Sequence, residues 1–468
     1  MSHQGLRTEW RLQFALRQRR FVNCAARPFF SLFAAIVAVD VACAQDIAPG
    51  PATRRAIEST FDAPPDEGLP LGDWMLYPSL FVGVTYNDNF HFTPTNRRAS
   101  TGLRVRPAIE ASRDDGVHRT SLFAAADLQI HPGLGRVYQI APATFARGDR
   151  QSVGAHVGAL HVWRPTRDVE ITLMADYSRQ GGLFGTDFGA SAWRASTPSF
   201  APLASAGGHV GQFTGLVSVE KTFDGAYFLR GSARAQLLDF DDPAAGLAPG
   251  AVAARSGVAY TLSLRAGAWI SPLVYVFAEP SVDLRRYRAS AFDSNGYQIV
   301  GGVGSDLIGL TRGEVYAGYG RQHARGSALA AVGSPLLGAR LSWFPTRDLV
   351  FTGSVEHRLS GAAETTLAAT VATRTTQARL QVDYAAARWL TLFARLGHGQ
   401  TAWTGLGRRD HNWTFGAGLN YTFWRNAALT LEYQHSRARA RGHAVAASAL
   451  LWSDRRQNVL SAGLTYRY

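Results

Sequence analysis

Lysine is almost missing from this chain: Lys221 is the only one in 468 residues, so nearly every cation is an arginine. Charge of either sign is scarce too, at 18% against roughly 25% in soluble proteins. A coiled coil needs far more charge, set in heptads, and a disordered chain needs far fewer apolar residues than the 46% present, so both are excluded. Cysteine occurs only as Cys24 and Cys43. Both fall in the leader described below, which leaves the mature chain without a disulfide framework, a thiol nucleophile or a cysteine metal site. After residue 44 no uninterrupted apolar run approaches the ~18–20 residues of a membrane helix, which excludes a polytopic helical membrane protein. What the chain has in plenty is glycine (47), with 25 Phe, 16 Tyr and 11 Trp.

The first 44 residues have the layout of a secretory signal peptide. Arg7, Arg11, Arg17, Arg19, Arg20 and Arg27 form a basic stretch, 28–42 is apolar save for Asp40 near its end, and Ala42-Cys43-Ala44 puts small residues at the −3 and −1 positions of a cleavage site. The basic stretch is long, which fits translation from a start downstream of Met1. A lipoprotein reading of Cys43 is disfavoured because Asp40 stands where a lipobox takes Leu. Removing six Arg together with Glu9 and Asp40 lowers the net charge from +13 to about +9. For an exported chain nucleic acid is a poor partner. Lipopolysaccharide phosphates, or an anionic solute or polymer, suit that charge better.

From residue 78 onward the hydrophobic period is two. Val169, Ile171, Leu173, Ala175 and Tyr177 alternate with Glu170, Thr172, Met174, Asp176 and Ser178, and Leu429, Leu431 and Tyr433 with Thr430, Glu432 and Gln434. Such strands suit a soluble sandwich or a membrane barrel equally. Three features favour the barrel. Very short connections (165–168, 224–225, 271–272, 345–348, 425–426) alternate with long ones (132–150, 181–207, 239–255, 360–374, 439–454), the asymmetry of periplasmic turns and exterior loops. Trp163-Arg164-Pro165-Thr166-Arg167-Asp168 recurs as Trp343-Phe344-Pro345-Thr346-Arg347-Asp348, placing an aromatic ring at the membrane interface beside a Pro/Asp turn. The chain ends with Leu464, Tyr466 and Tyr468 at alternate positions, like the terminal strand that barrel assembly machinery recognises.

The expected fold is all-β: a transmembrane antiparallel up-and-down β-barrel of about eighteen strands, from 79–90 to 456–468, with sixteen the next choice. The expected organisation is a signal peptide over 1–44, a short periplasmic segment over 45–77 and the barrel over 78–468. The expected location is the outer membrane of a Gram-negative bacterium.

Tyr86-Asn87-Asp88-Asn89-Phe90, Leu103-Arg104-Val105-Arg106-Pro107 and the turn Asp114-Asp115-Gly116 resemble the opening of the β-barrel porin-2 type outer membrane proteins, and the W-x-P-T-R-D turns are similar to turns of that group. The likeness is at motif level over roughly 77–135 and at pattern level to the C-terminus. It implies an outer membrane barrel of poorly defined substrate, with a link to surface polysaccharide, and it supplies no catalytic residues.

The polar faces give the pore-lining candidates: Arg104, Arg106, Glu110, Asp127, Glu170, Asp176, Arg230, Arg234, Arg265, Glu279, Asp283, Arg285, Arg340, Glu356, Arg358, Arg379, Asp383, Arg395 and Glu432. Such charges either line a water-filled pore or form salt-bridge ladders that stabilise the wall. The signs nearly balance, so the excess of arginine falls mostly in or beside the long loops, among them Arg374, Arg408, Arg409, Arg437, Arg439 and Arg441. There they can attract anionic solutes or bind lipopolysaccharide phosphates. The third exterior connection, 181–207, is rich in aromatics, and Phe184, Phe188, Trp193, Arg194 and Phe200 are expected to fold inward and narrow the pore, or else to pack across the rim. Asn87-Asp88-Asn89 offers oxygen ligands to Ca²⁺, but a strand end entering an Asx turn is the simpler reading. No H-E-x-x-H or G-x-S-x-G pattern occurs, so neither a metal, a cofactor nor an enzyme is expected.

The expected function is porin-like passive passage of small polar solutes. Three rivals stay open: an export conduit for an anionic exopolysaccharide, a plugged structural or adhesion barrel, and an outer membrane enzyme. Expected partners are outer membrane lipid and lipopolysaccharide, the barrel assembly machinery, and small polar or anionic solutes or polysaccharide.

Overall fold

The computed structural model describes residues 68–468 apart from 91, 93–96, 133–136, 142–143, 148–150, 181–209, 241–255, 309, 326–330, 362–371, 405–406 and 443–453. Alternating apolar and polar side chains between tight turns give extended chain throughout. The wall strands are β1 (Trp74–Asn87), β2 (Ser100–Asp114), β3 (His118–Ile130), β4 (Gln151–Trp163), β5 (Val169–Gln180), β6 (Val210–Phe223), β7 (Tyr227–Phe240), β8 (Gly257–Ser271) and β9 (Val274–Tyr287). They continue as β10 (Ser294–Ile308), β11 (Thr311–Ala324), β12 (Val332–Thr346), β13 (Leu349–Gly361), β14 (Ala372–Ala387), β15 (Leu390–Trp403), β16 (Arg408–Trp424), β17 (Ala427–Arg441) and β18 (Arg455–Arg467). Each pairs antiparallel with the next, and β18 returns to β1 in the register Ser79↔Arg467 to Asn87↔Val459. The eighteen-stranded barrel is thereby closed and leaves no free edge.

The first strand begins at Trp74, five residues before the expected start, because Pro78 does not interrupt it. Pro78 lies at the end of the β1–β18 ladder, where its carbonyl accepts from the Tyr468 N–H (3.1 Å) and a missing donor is tolerated. Leu69–Leu71 folds back on the start of β1 as a short extra strand.

The two faces separate cleanly. Leu80, Val82, Val84, Leu173, Val217, Leu262 and Leu431 are exposed on one face, while Arg230, Arg265, Glu279, Arg395 and Glu432 are buried on the other. Which face is inward follows from contacts between strands that are not neighbours. The Arg265 guanidinium on β8 donates to Glu314 on β11 (3.0 Å), and Arg395 on β15 to Glu432 on β17 (3.1 Å). Only on a concave surface do side chains of such strands converge, so the charged face lines the interior and the apolar face meets lipid.

At the short-turn end the lipid face carries exposed Trp163, Phe223, Trp343, Trp389, Phe423 and Trp424, with Trp343 stacked on Phe351 (5.2 Å) and Trp389 edge-on to Tyr421 (5.4 Å). Both tryptophans of the W-x-P-T-R-D repeat thus stand in an aromatic girdle. In the β2–β3 turn, Asp115 accepts from the N–H groups of Val117 (3.0 Å) and His118 (2.6 Å), and Gly116 takes the left-handed conformation (φ 87°).

The abundance of glycine has a packing cause on the inner face. Inward aromatic rings extend over an inward glycine of the neighbouring strand in six direct cross-strand pairs: Phe123–Gly158, Phe228–Gly267, Tyr275–Gly304, Phe277–Gly302, Tyr316–Gly338 and Phe393–Gly418. The ring covers backbone that glycine leaves bare, as in aromatic rescue of strand glycines.

The N-D-N-F segment closes the seam at the opposite rim. The Asn89 N–H donates to Asn87 Oδ1 (3.0 Å), forming the Asx turn, and Asn89 Nδ2 donates to the Arg456 carbonyl (2.8 Å). Asp88 accepts from the backbone N–H (2.7 Å) and side-chain amide (2.5 Å) of Asn458. The Asn87 amide oxygen is taken up by the turn, and the Asp88 carboxylate by joining the first strand to the last.

Phe90 packs on the ring of His131 (4.7 Å), which shares a hydrogen bond with the Ser100 hydroxyl (3.1 Å) and fills the space left by Gly102. Burial pushes His131, just beyond β3, down to about 4 from an ordinary value near 6.5. The unfolded chain therefore binds the extra proton first, and stability should fall as the pH drops from about 6.5 to about 4, by up to about 3 kcal/mol, and level off below. Unfolding midpoints measured across that window should show this slope in the parent and lose it in His131→Gln; identical profiles would refute the assignment.

Candidate functional site: the inner wall

The inner wall is layered. Closest to the backbone, glycines seat the aromatic rings; above the rings lie arginines; the carboxylates hold the arginines. In one sector the Arg265 guanidinium lies over the Phe277 ring (4.0 Å), which itself covers Gly302. It donates through Nε to Glu279 (2.5 Å), its direct cross-strand neighbour, and to Glu314, which also accepts from the Tyr275 hydroxyl (2.8 Å). Arg265 and Tyr275 are 0% exposed and Glu279 1%. Phe228, Val300 and Leu336 complete the cluster, with Trp269 and Tyr316 against it. A second sector repeats the stack: Arg395 over Phe393 (4.4 Å), Phe393 on Gly418, and Glu432 holding Arg395.

Every one of the nineteen charged residues picked from the strand patterns falls on the inward parity of its strand. The structure brings many of them into pairs. Arg104 is bidentate on Asp127 (Nε 2.7 Å), Arg285 holds Asp283 (2.8 Å), and Arg265 holds Glu279. Others pair with residues the sequence reading passed over: Glu170 with Arg164 (3.1 Å), Asp176 with His156 (2.5 Å) and Arg230 with Glu220 (2.8 Å). Glu220 was within reach of sequence reasoning, because it and Arg230 each lie five residues from Gly225 in a tight turn and must face each other. The inward aromatics carry no such turn symmetry with a charged partner, and the sequence reading placed only the aromatics of the repeated turns.

Arg408, expected in or beside a long loop to attract anionic solutes or bind lipopolysaccharide phosphates, points inward instead. It is paired with Asp410 (2.8 Å) and packed over Trp403 (5.5 Å), because its position shares parity with the buried face of β16. Leu464, Tyr466 and Tyr468 are exposed on the lipid side at the short-turn rim. Phe184, Phe188, Trp193, Arg194 and Phe200 lie outside the described residues. His156 meets Asp176 and the Phe123 ring (4.6 Å), and among the described residues no hydroxyl or thiol bonds to it. No group of three His, Cys, Asp or Glu able to hold a metal occurs among the described residues.

A family model described as "Putative beta-barrel porin 2" matches residues 63–464. The chain belongs to this porin family. A member of the beta-barrel porin 2 family with a closed eighteen-stranded wall is an integral outer membrane protein, and porin-type channels are its kind. Among solved structures it is similar to OpdK of Pseudomonas aeruginosa, crystallised with vanillate (11% identity, TM-score 0.43, 84% of this chain and 99% of that one). It is also similar to the siderophore receptor PirA of Acinetobacter baumannii (8% identity, TM-score 0.39, 84% and 80%). Neither likeness bears on what this porin carries. No curated protein sequence matches it.

Proposed function

We propose that this porin gives passive passage to small polar solutes across the outer membrane and performs no chemistry of its own. The observation that carries the reading is the pairing of charge on the inner wall. Arginines and carboxylates there neutralise one another in Arg104–Asp127, Arg230–Glu220, Arg265–Glu279–Glu314 and Arg395–Glu432. A wall of that kind is polar enough to stay wet without committing the lumen to one sign of charge. An export conduit for an anionic polysaccharide asks for the reverse, a continuous cationic track, and these pairs interrupt one. A hydrolase reading would need a hydroxyl, a histidine and a carboxylate in one chain of hydrogen bonds; among the described residues His131, His161 and His357 meet the hydroxyls of Ser100, Thr120 and Ser334 without a carboxylate, and His156 meets Asp176 without a hydroxyl.

Single-channel recording of the refolded mature protein in a planar bilayer, with the reversal potential taken across a salt gradient, tests this. The expected result is a stable conductance with little preference between anions and cations. Strong anion preference would transfer the case to the export conduit. A correctly folded barrel that conducts nothing would overturn the open-pore reading in favour of a plugged or adhesive barrel.

A further inference from the structure

The lipid-facing side of β15–β18 changes character along its length. On β16 the outward residues run Phe423, Tyr421, Leu419, Ala417, Phe415, Trp413, and then His411 and Arg409. From Phe423 to Trp413 is ten residues, which at about 3.4 Å per residue and a tilt near 40° rises about 26 Å, the height of the apolar band of an outer membrane barrel. Trp413 therefore stands at the outer interface, and His411 and Arg409 stand about 5 and 10 Å above it, at headgroup level. The neighbouring strand repeats the sequence of layers: Leu429, Leu431, Tyr433, then His435, Arg437, Arg439 and Arg441.

From Trp413 upward the register places like charges directly opposite each other. Arg437, which lies across from Trp413, faces Arg456 across β17–β18, and Arg409 faces Arg441 across β16–β17 four residues higher, with Arg439 between the two pairs. All five are exposed. Like charges directly opposite on a sheet face are destabilising, and elsewhere on the outward face of the described residues arginines come singly, as Arg286 on β9 and Arg321 on β11. Asp454 meets part of the charge, accepting from Arg437 (3.0 and 2.6 Å) with Arg439 at 3.9 Å, and these arginines hold its carboxyl below the usual carboxylate range. One carboxylate leaves most of the positive charge uncompensated.

We propose that this face is a docking surface for a bisphosphorylated glycolipid of the outer leaflet, the lipid A part of lipopolysaccharide, with each opposed arginine pair taking one phosphate. The pairs lie four residues apart along β17, roughly 14 Å, a spacing for two phosphates at the ends of one sugar headgroup. Guanidinium forks bind phosphate oxygens bidentately. Beside Arg437 and below it, Trp413, Phe415, Tyr433 and Leu460 present exposed apolar surface to the acyl chains. The site is independent of whether the lumen conducts.

The test uses full-length mature protein refolded into detergent free of lipopolysaccharide and titrated with lipid A, its fully dephosphorylated form, and phosphatidylglycerol, with binding read by native mass spectrometry. Lipid A is expected to bind one to one and at least about tenfold more tightly than either of the others. The paired substitutions Arg409→Ser/Arg441→Ser and Arg437→Ser/Arg456→Ser should each weaken it by about tenfold or more, and Arg286→Ser should not. Equal binding of phosphatidylglycerol or of dephosphorylated lipid A to the unaltered protein overturns the proposal, whatever the variants do. So does a second copy of the chain covering this face, seen as a dimer that the arginine substitutions dissociate.

Discussion

Replacing Arg265 by Met is expected to destabilise the barrel by about 3–5 kcal/mol, the usual cost of leaving buried charges without their partner. Arg265 is fully buried on the inner wall and is the cation between Glu279 (2.5 Å) and Glu314 (3.0 Å). Without it the two carboxylates lose the cation that lies between them over the Phe277 ring, and the Tyr275 hydroxyl stays on Glu314. Most of the loss should be recovered in Arg265→Met/Glu279→Gln/Glu314→Gln, which removes the orphaned charges as well; replacing a whole buried ionic group is often close to neutral. Urea unfolding in lipid vesicles, or the temperature at which the folded band is lost on gels, measures both. A single variant within about 1 kcal/mol of the parent, or a triple variant no better than the single, would show that water reaches this cluster and screens it.

Part of that cluster was legible in the sequence. Arg265 and Glu279 each lie seven residues from Pro272, so once the short turn is recognised the two must sit side by side on one face. The same symmetry joins Glu220 to Arg230. Period two and alternating turn lengths sufficed for the strand count and for which residues share a face, because both are local properties of the chain. Contacts that depend on curvature were not legible. Arg265 reaches Glu314 across two intervening strands, and Arg395 reaches Glu432 across one, only because the sheet bends toward them. The seam is further from view still: Asp88 meets Asn458 only when the barrel closes. The five outward arginines of β16–β18 were visible in part as loop-side charge, but their opposition in pairs is a matter of register, and Arg408 beside them has the other parity and is buried.

Substituting Gly304 by Val is expected to cost as much as losing Arg265, while the same change at Gly301 should be almost silent. Both glycines are on β10, three residues apart, and so face opposite ways. Gly301 is exposed on the lipid side, and a Cβ there would meet only the Phe277 carbonyl oxygen at an ordinary 3.5 Å. Gly304 faces inward directly across from Tyr275, and a Cβ there would fall within the tyrosine ring. The ring must leave, and its hydroxyl then abandons Glu314. Overpacking of about 1–3 kcal/mol combines with a buried acceptor left short of a donor, about 1–3 kcal/mol more. Gly301→Val should stay within about 0.5 kcal/mol of the parent. Because the introduced valine side chain and the Tyr275 ring would compete for one volume, Gly304→Val/Tyr275→Ala should be no less stable than Tyr275→Ala alone, a coupling as large as the whole cost of Gly304→Val in a double-mutant cycle of unfolding free energies. Strict additivity would mean that the ring does not rest on the glycine. The inner-wall stack would then have to be held by its ion pairs alone, and the Arg265 triple substitution could no longer recover stability.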